Sequence, residues 1–231
     1  MAQHVFAWLA GYGQVVMPWA PYRLERLPGN DRAVLCTRTG VWGSSRVIVE
    51  VPASGGPLTI RRLGWSLFRQ YVVELLPGKA RPHLPSPPAQ GWQLQCELFV
   101  TAWPEGFAMR SVDSFPPPFD LEGPRDSYLW IQGPVTASEL PPLAEMKTDE
   151  QEVVGLLEGS RGPIAEFRYE FDGEPHLMFQ SVIPYVDDQV LVVTGQCQPE
   201  ERELTLRGVR QLADNLQACP PPAEVDTAPA G

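Results

Sequence analysis

Residues 163–217 constrain the fold most, because strand, turn and helix signals follow one another there without conflict. Apolar and charged side chains alternate strictly from residue 165 to residue 172. Since a β-strand has a side-chain period of two, this alternation predicts a half-buried strand with one solvent-facing side. The predicted buried face comprises Ala165, Phe167, Tyr169 and Phe171, and the predicted solvent face comprises Glu166, Arg168, Glu170 and Asp172.

Turn signals predict that two further strands follow in a β-meander. Asp172-Gly173 favours the positive φ angles of a tight hairpin, and the apolar residues at 177–183 predict the returning strand. Two aspartates at 187–188 predict a second turn. Residues 190–193 are apolar on both faces, which is typical of a central strand covered on both sides. Strands joined by such short turns pair antiparallel.

A helix is predicted to close the meander. Pro199 suits a first helical position, and the glutamates that follow it place negative charge at the positive end of the helix dipole. Cys219 and the prolines at 220–222 predict its end. One apolar stripe at helical spacing consists of Leu206, Val209, Leu212, Ala213 and Leu216.

The rest of the chain carries shorter signals. Strands are predicted at residues 33–36, 46–51, 93–101 and 128–132, the last ending at Gly133-Pro134. The capping-box pattern Thr148-x-x-Gln151 predicts a short helix through Leu157 to Gly159. Leu63, Leu67, Tyr71 and Leu75 recur every four residues and favour a short helix, whereas the β-branched and aromatic residues at 70–75 favour a strand. Both predictions for this segment, helix and strand, stay open.

Composition and charge predict two parts and a tail. Five prolines between residues 77 and 91 are typical of an extended linker. Residues 1–92 carry ten Lys and Arg against four Asp and Glu, whereas residues 93–231 carry eight against 24. We therefore predict a basic N-terminal β-rich segment or small α+β domain at 1–92, an acidic α+β domain at 93–219, and a disordered tail at 220–231. The predicted class is α+β, an antiparallel sheet with helices packed on its faces.

The second part resembles the PsbP-like fold, in particular the DcrB-like bacterial proteins. The resemblance rests on the turn at 103–107 (Trp-Pro-Glu-Gly-Phe), on the aromatic strand followed by an apolar strand, and on a helix entered through Pro-Glu-Glu-Arg at 199–202. It covers about 125 residues and leaves 1–92 unexplained. The family includes a Ran-binding protein, photosystem accessory subunits and chaperone-like adaptors of secretion effectors. It implies a binding role and supplies no catalytic residues.

Few residues of this chain are suited to catalysis or metal binding. Cys36, Cys96 and Cys197 lie in strand-like runs and predict buried thiols, because the cysteines form no CxxC pair. His176 follows the Asp-Gly turn, which favours a solvent-facing or capping role. No cofactor motif is present, and no cofactor is predicted. No run reaches the roughly 20 apolar residues of a membrane span, and a cytoplasmic location is expected.

One basic and aromatic segment is the candidate binding site. It consists of Arg61, Arg62, Trp65, Phe68 and Arg69. Such a segment fits a solvated face, contact with the acidic half of the same chain, or a partner with an acidic or apolar surface. Nucleic acid is not expected as the ligand, because the acidic half of this chain, whose net charge is −10, would repel phosphates.

The sequence therefore predicts a non-catalytic binding protein, namely an adaptor or chaperone-like module for another protein. The alternative is a hydrolase-like enzyme with a site in the cleft between the two halves. Polar groups converging beside His176 or Cys197 would favour the enzyme. The oligomeric state is not predicted.

Overall fold

The computed structural model describes most of the chain. The described residues are 6–9, 14–18, 21–40, 43–52, 59–63, 73–77, 91–112 and 119–219. Within them the chain forms seventeen strands and one α-helix. All hydrogen-bonded neighbouring strands are antiparallel. The α+β class is confirmed in this coarse form. Several helices on the sheet faces are not shown among the described residues, which hold one α-helix and three single 3-10 turns.

The larger sheet has eleven strands. Numbered in chain order, its strands are β3 (Arg23–Leu27), β4 (Asn30–Gly40), β5 (Gly43–Glu50), β6 (Thr59–Leu63), β10 (Ala108–Ser111), β11 (Phe119–Glu122), β12 (Tyr128–Thr136), β13 (Glu152–Leu157), β14 (Ile164–Phe171), β15 (Glu174–Pro184) and β16 (Gln189–Cys197). Their spatial order is β13-β14-β15-β16-β12-β11-β10-β3-β4-β5-β6. Strands β6 and β13 are therefore the two terminal strands of this sheet.

The smaller sheet has six strands. They are β1 (Phe6–Leu9), β2 (Gln14–Pro18), β7 (Val73–Pro77), β8 (Trp92–Gln95), β9 (Phe99–Ala102) and β17 (Gln217–Ala218), in the spatial order β17-β9-β8-β1-β2-β7. Strand β1 pairs with β8, and β3 of the larger sheet pairs with β10. Both sheets thus combine strands from residues 1–92 with strands from the rest of the chain. Independent folding of the second part stays a prediction, to be measured on residues 90–219 expressed alone.

The predicted meander and its closing helix are confirmed. Asp172 (φ 53°) and Gly173 (φ 78°) form the tight turn between β14 and β15, and Asp187 (φ 54°) lies in the turn before β16. Helix α1 (Arg202–Asn215) ends four residues before Cys219, because Leu216 is extended and β17 pairs with β9. The predicted apolar stripe of the helix is buried along its whole length.

Helix α1 packs on β16, β15, β12 and β9 and closes the larger of the two hydrophobic clusters of the described residues. Gly195 of β16 permits the close approach, because a Cβ atom there would lie 2.6 Å from Val209 Cγ2 and 2.9 Å from Thr205 Cγ2. Thr101 of β9 donates a hydrogen bond from Oγ1 to the carbonyl oxygen of Leu212 at 2.9 Å. The helix therefore contacts both sheets.

Three predicted elements differ from the structure. Residues 93–101 form a hairpin rather than one strand, because the chain reverses at 96–98 and Leu94 pairs with Thr101. The predicted helix after Thr148 is the strand β13. The capping-box bond exists, with the Thr148 amide donating to Gln151 Oε1 at 3.0 Å, but residues 152–157 pair with β14. The strand predicted to end at Gly133-Pro134 continues to Thr136.

Other predictions are only partly covered by the described residues. Leu63 and Leu75 lie in strands, so a helix that includes both is wrong, while residues 64–72 lie outside the description. Most of the proline-rich linker and the tail at 220–231 also lie outside it. Cys36, Cys96 and Cys197 are buried thiols, as predicted.

Candidate protein-binding surface

The exposed large apolar side chains of the described residues cluster at the two ends of the eleven-stranded sheet. They are Ile60 and Leu63 on β6, Val153, Val154 and Leu156 on β13, and Phe171 on the neighbouring strand β14. Their exposure runs from 37% at Leu63 to 57% at Leu156. Scattered exposed apolar residues are ordinary on protein surfaces, but clustering at the terminal strands of a sheet is typical of interaction sites.

Strand β6 is one of these edges. Among the described residues it pairs only with β5, so no described strand pairs with the groups along its other side, which is typical of an edge that can accept a further strand. All five of its side chains are exposed. Arg61 lies opposite Ile48, and Arg62 lies opposite Val47, so the two arginines project from opposite faces of the sheet. The edge thus presents positive charge on both faces beside its two apolar side chains.

The structure places two of the five predicted site residues on this edge. Arg61 and Arg62 lie in β6, whereas Trp65, Phe68 and Arg69 lie outside the described residues. Neither Arg61 nor Arg62 forms an ion pair with any described residue. Among the described residues, the ion pair that joins residues 1–92 to residues 93–219 is instead that of Arg23 with Glu122. The hypothesis that these two arginines contact the acidic half of the same chain therefore has no ion pair to support it among the described residues.

Strand β13 is the other edge, and sequence reasoning missed it by predicting a helix. It pairs with β14, and a bulge between Val153 and Gly155 leaves Val154 as an extra residue. Residues 148–160 contain four acidic side chains and no Lys or Arg, namely Asp149, Glu150, Glu152 and Glu158, all of them exposed. The β-branched pair Val153-Val154 was the signal that could have identified a strand here.

Of the two roles predicted for His176, solvent-facing or capping, the first is wrong, because its side chain is buried. Its ring lies against Tyr169, with centroids 5.6 Å apart, and at 5.8 Å from the centroid of Phe171. Nδ1 lies 3.1 Å from the carbonyl oxygen of Glu174, and since a carbonyl only accepts, Nδ1 carries the hydrogen of this bond. The local capping role is therefore present, although the side chain is not solvated.

His176 and Cys197 do not converge on a common site. Leu177 pairs with Cys197 across β15 and β16, so these two residues share a face, and His176 projects from the other face. Burial raises the pKa of the Cys197 thiol, which favours the protonated form, and raises the pKa of the Cys36 and Cys96 thiols to about 12. Protonated buried thiols are poor nucleophiles. This geometry does not supply a Cys–His pair for catalysis.

The described residues contain no group of three or more His, Cys, Asp or Glu side chains placed to hold a metal ion. No helix among them is long and apolar enough to cross a membrane. The chain matches no protein-family model, no curated protein and no solved structure. The candidate functional features among the described residues are therefore the two terminal strands of the large sheet.

Proposed function

We propose that this protein is a non-catalytic binding protein, an adaptor or chaperone-like module that recognises another protein through strand β6. The observation that carries the proposal is a terminal strand whose five side chains are all exposed and whose arginines have no ion pair among the described residues. The resemblance of residues 93–219 to PsbP-like and DcrB-like proteins favours the same class. A cytoplasmic location is part of the proposal.

The side chains of β6 define the chemistry of the partner. An extended segment can add to an open edge as a further strand, with main-chain hydrogen bonds giving affinity and side chains giving specificity. Arg61 and Arg62 favour carboxylates on that segment, and Ile60 and Leu63 favour apolar side chains. The net charge of −10 disfavours nucleic acid as the ligand. The partner is therefore an extended protein segment that combines acidic and apolar residues.

The experiment compares the parent protein with Arg61→Gln/Arg62→Gln. Proteins captured from the native cell extract by the parent are identified, purified and titrated directly against both forms. The proposal expects at least one purified protein to bind the parent at least tenfold more tightly than the variant. It also expects that binding to weaken as salt shortens the Debye length from about 10 Å at 0.1 M.

The matched control is Arg125→Gln/Arg207→Gln, which removes the same charge from two exposed positions away from the terminal strands. The control should bind the partner as the parent does. Equal affinity of the parent and the Arg61→Gln/Arg62→Gln variant for every purified partner would overturn the proposal. So would equal losses in the variant and the control.

A further inference from the structure

The second terminal strand of the large sheet, β13, has the acidic and apolar side chains that the proposed partner of β6 must have. Strand β13 presents Val153, Val154 and Leu156 to solvent beside the exposed carboxylates of Glu152 and Glu158. Among the described residues it pairs only with β14, so no described strand pairs with the groups along its other side. Strand β13 has six residues and β6 has five, so the two strands are similar in length. An extended acidic and apolar segment therefore exists on the chain itself.

We infer that β13 of a second copy is the partner of β6, so that copies of this chain associate head to tail through opposite edges of the large sheet. The inference rests on the proposed function, since it uses β6 as the binding edge. Within one copy β6 and β13 do not pair with each other, since they are the two ends of the strand order.

The charges of the two edges select this pairing over its alternatives. Two copies of β6 would bring four arginines together, and two copies of β13 would bring acidic clusters together. Like charges placed opposite one another disfavour an interface. Pairing of β6 with β13 joins opposite charges and also covers the exposed apolar side chains of both edges. The same charges therefore prevent symmetric edge pairing and permit the head-to-tail one.

A head-to-tail contact leaves one edge of each kind free at the ends of the assembly. The parent protein should therefore form species that grow with protein concentration rather than stop at a dimer. Salt should dissociate them, because both edges are solvent-exposed and their charges are screened. Sedimentation velocity at low and high salt, over a series of protein concentrations, measures both properties.

Two variants that each disable one edge provide the decisive test. Arg61→Gln/Arg62→Gln neutralises β6, and Glu152→Lys/Glu158→Lys reverses the charge at β13. Each variant alone should sediment as a monomer at concentrations where the parent assembles. An equimolar mixture contains one intact β6 and one intact β13, and should form a one-to-one complex that does not grow further.

Controls separate this contact from a general effect of charge. Glu97→Lys/Glu105→Lys changes the net charge as the β13 variant does, but in two exposed turn positions, and should assemble as the parent does. Circular dichroism of each variant checks that it is folded. If the β13 variant does not fold, Leu156→Lys tests the same edge at an exposed side chain.

The outcomes distinguish this inference from the proposed function. A parent that stays monomeric at low salt, together with a variant mixture that forms no complex, overturns the head-to-tail contact. If a purified partner still binds the parent tenfold more tightly than Arg61→Gln/Arg62→Gln, the proposed function stands without it. If neither assembly nor partner binding depends on Arg61 and Arg62, both are wrong.

Discussion

Arg202 forms a bidentate ion pair with Glu166, with Nε donating to Oε1 at 2.8 Å and Nη2 donating to Oε2 at 2.6 Å. Glu166 is buried on β14, and Arg202 is the first residue of helix α1. The hydrogen bonding that Glu166 accepts from Arg202 is the largest cause of the raised pKa of Arg202. The guanidinium carbon also lies 5.9 Å from the ring centroid of Phe179. This pair therefore fixes the start of the helix to the sheet.

Loss of Arg202 should be costly for stability. Arg202→Met leaves the Glu166 carboxylate buried without its counter-charge, so the free energy of unfolding should fall by about 2–4 kcal/mol. Glu166→Gln should cost less, because the Arg202 side chain is one-third exposed and keeps its bond to Glu203. Denaturant titration measures both. Arg207→Met, at an exposed position of the same helix, should stay within about 0.5 kcal/mol of the parent. Equal stability of Arg202→Met and Arg207→Met would contradict this role.

Gly195 should not accept a side chain. Gly195→Ala places a Cβ atom against Val209, Thr205 and Leu129, and the resulting overpacking should lower the free energy of unfolding by about 1–3 kcal/mol. Gly155→Ala is the control, since it also lies in a strand and its Cβ would meet nothing within 4 Å. Thermal unfolding should show a lower Tm for the first variant only. A parent-like Tm for Gly195→Ala would show that α1 can move away from β16 at little cost.

Two phenylalanines of one strand should differ in their contribution to stability. Phe167 is fully buried, whereas Phe171 is 56% exposed four residues further along β14. Phe167→Ala should therefore cost about 3–5 kcal/mol through lost transfer energy and the residual cavity. Phe171→Ala should cost much less. Similar denaturant midpoints for the two variants would mean that the buried end of the strand has been assigned wrongly.

Alkaline pH should destabilise the fold through its buried thiols. Burial raises the pKa of Cys36 and of Cys96 to about 12, while thiols in the unfolded chain titrate near about 8.5. Above about pH 9 the unfolded state therefore binds fewer protons than the folded state, and stability falls as the pH rises. Each thiol contributes a slope of up to about 1.4 kcal/mol per pH unit.

The test follows the free energy of unfolding between about pH 8.5 and about pH 9.5, below the ordinary pKa of tyrosine at about 10. Cys36→Ala/Cys96→Ala should be less stable than the parent at neutral pH, because two buried side chains are shortened. Its stability should nevertheless fall less steeply over this window. Parallel pH profiles for the parent and the variant would refute the assignment to these thiols.

The sequence alone predicted the meander and its helix, because their signals are local. The Asp172-Gly173 turn needs only two residues that accept positive φ, and the stripe from Leu206 to Leu216 needs only helical spacing. It also identified Arg61 and Arg62 as a basic candidate site. Charge and composition at those positions do not depend on what the chain packs against.

Tertiary contacts decided the rest. The sequence signals at Gln151 and Val153 favour different elements, and pairing with β14 selects the strand. Alternation assigned Glu166 to solvent, but Arg202, 36 residues later in the chain, allows it to be buried. That Arg61, Arg62 and the residues of β13 lie on two opposite open edges follows from the order of eleven strands. Strand order depends on pairings between residues far apart in sequence, and a local pattern of side chains does not determine them.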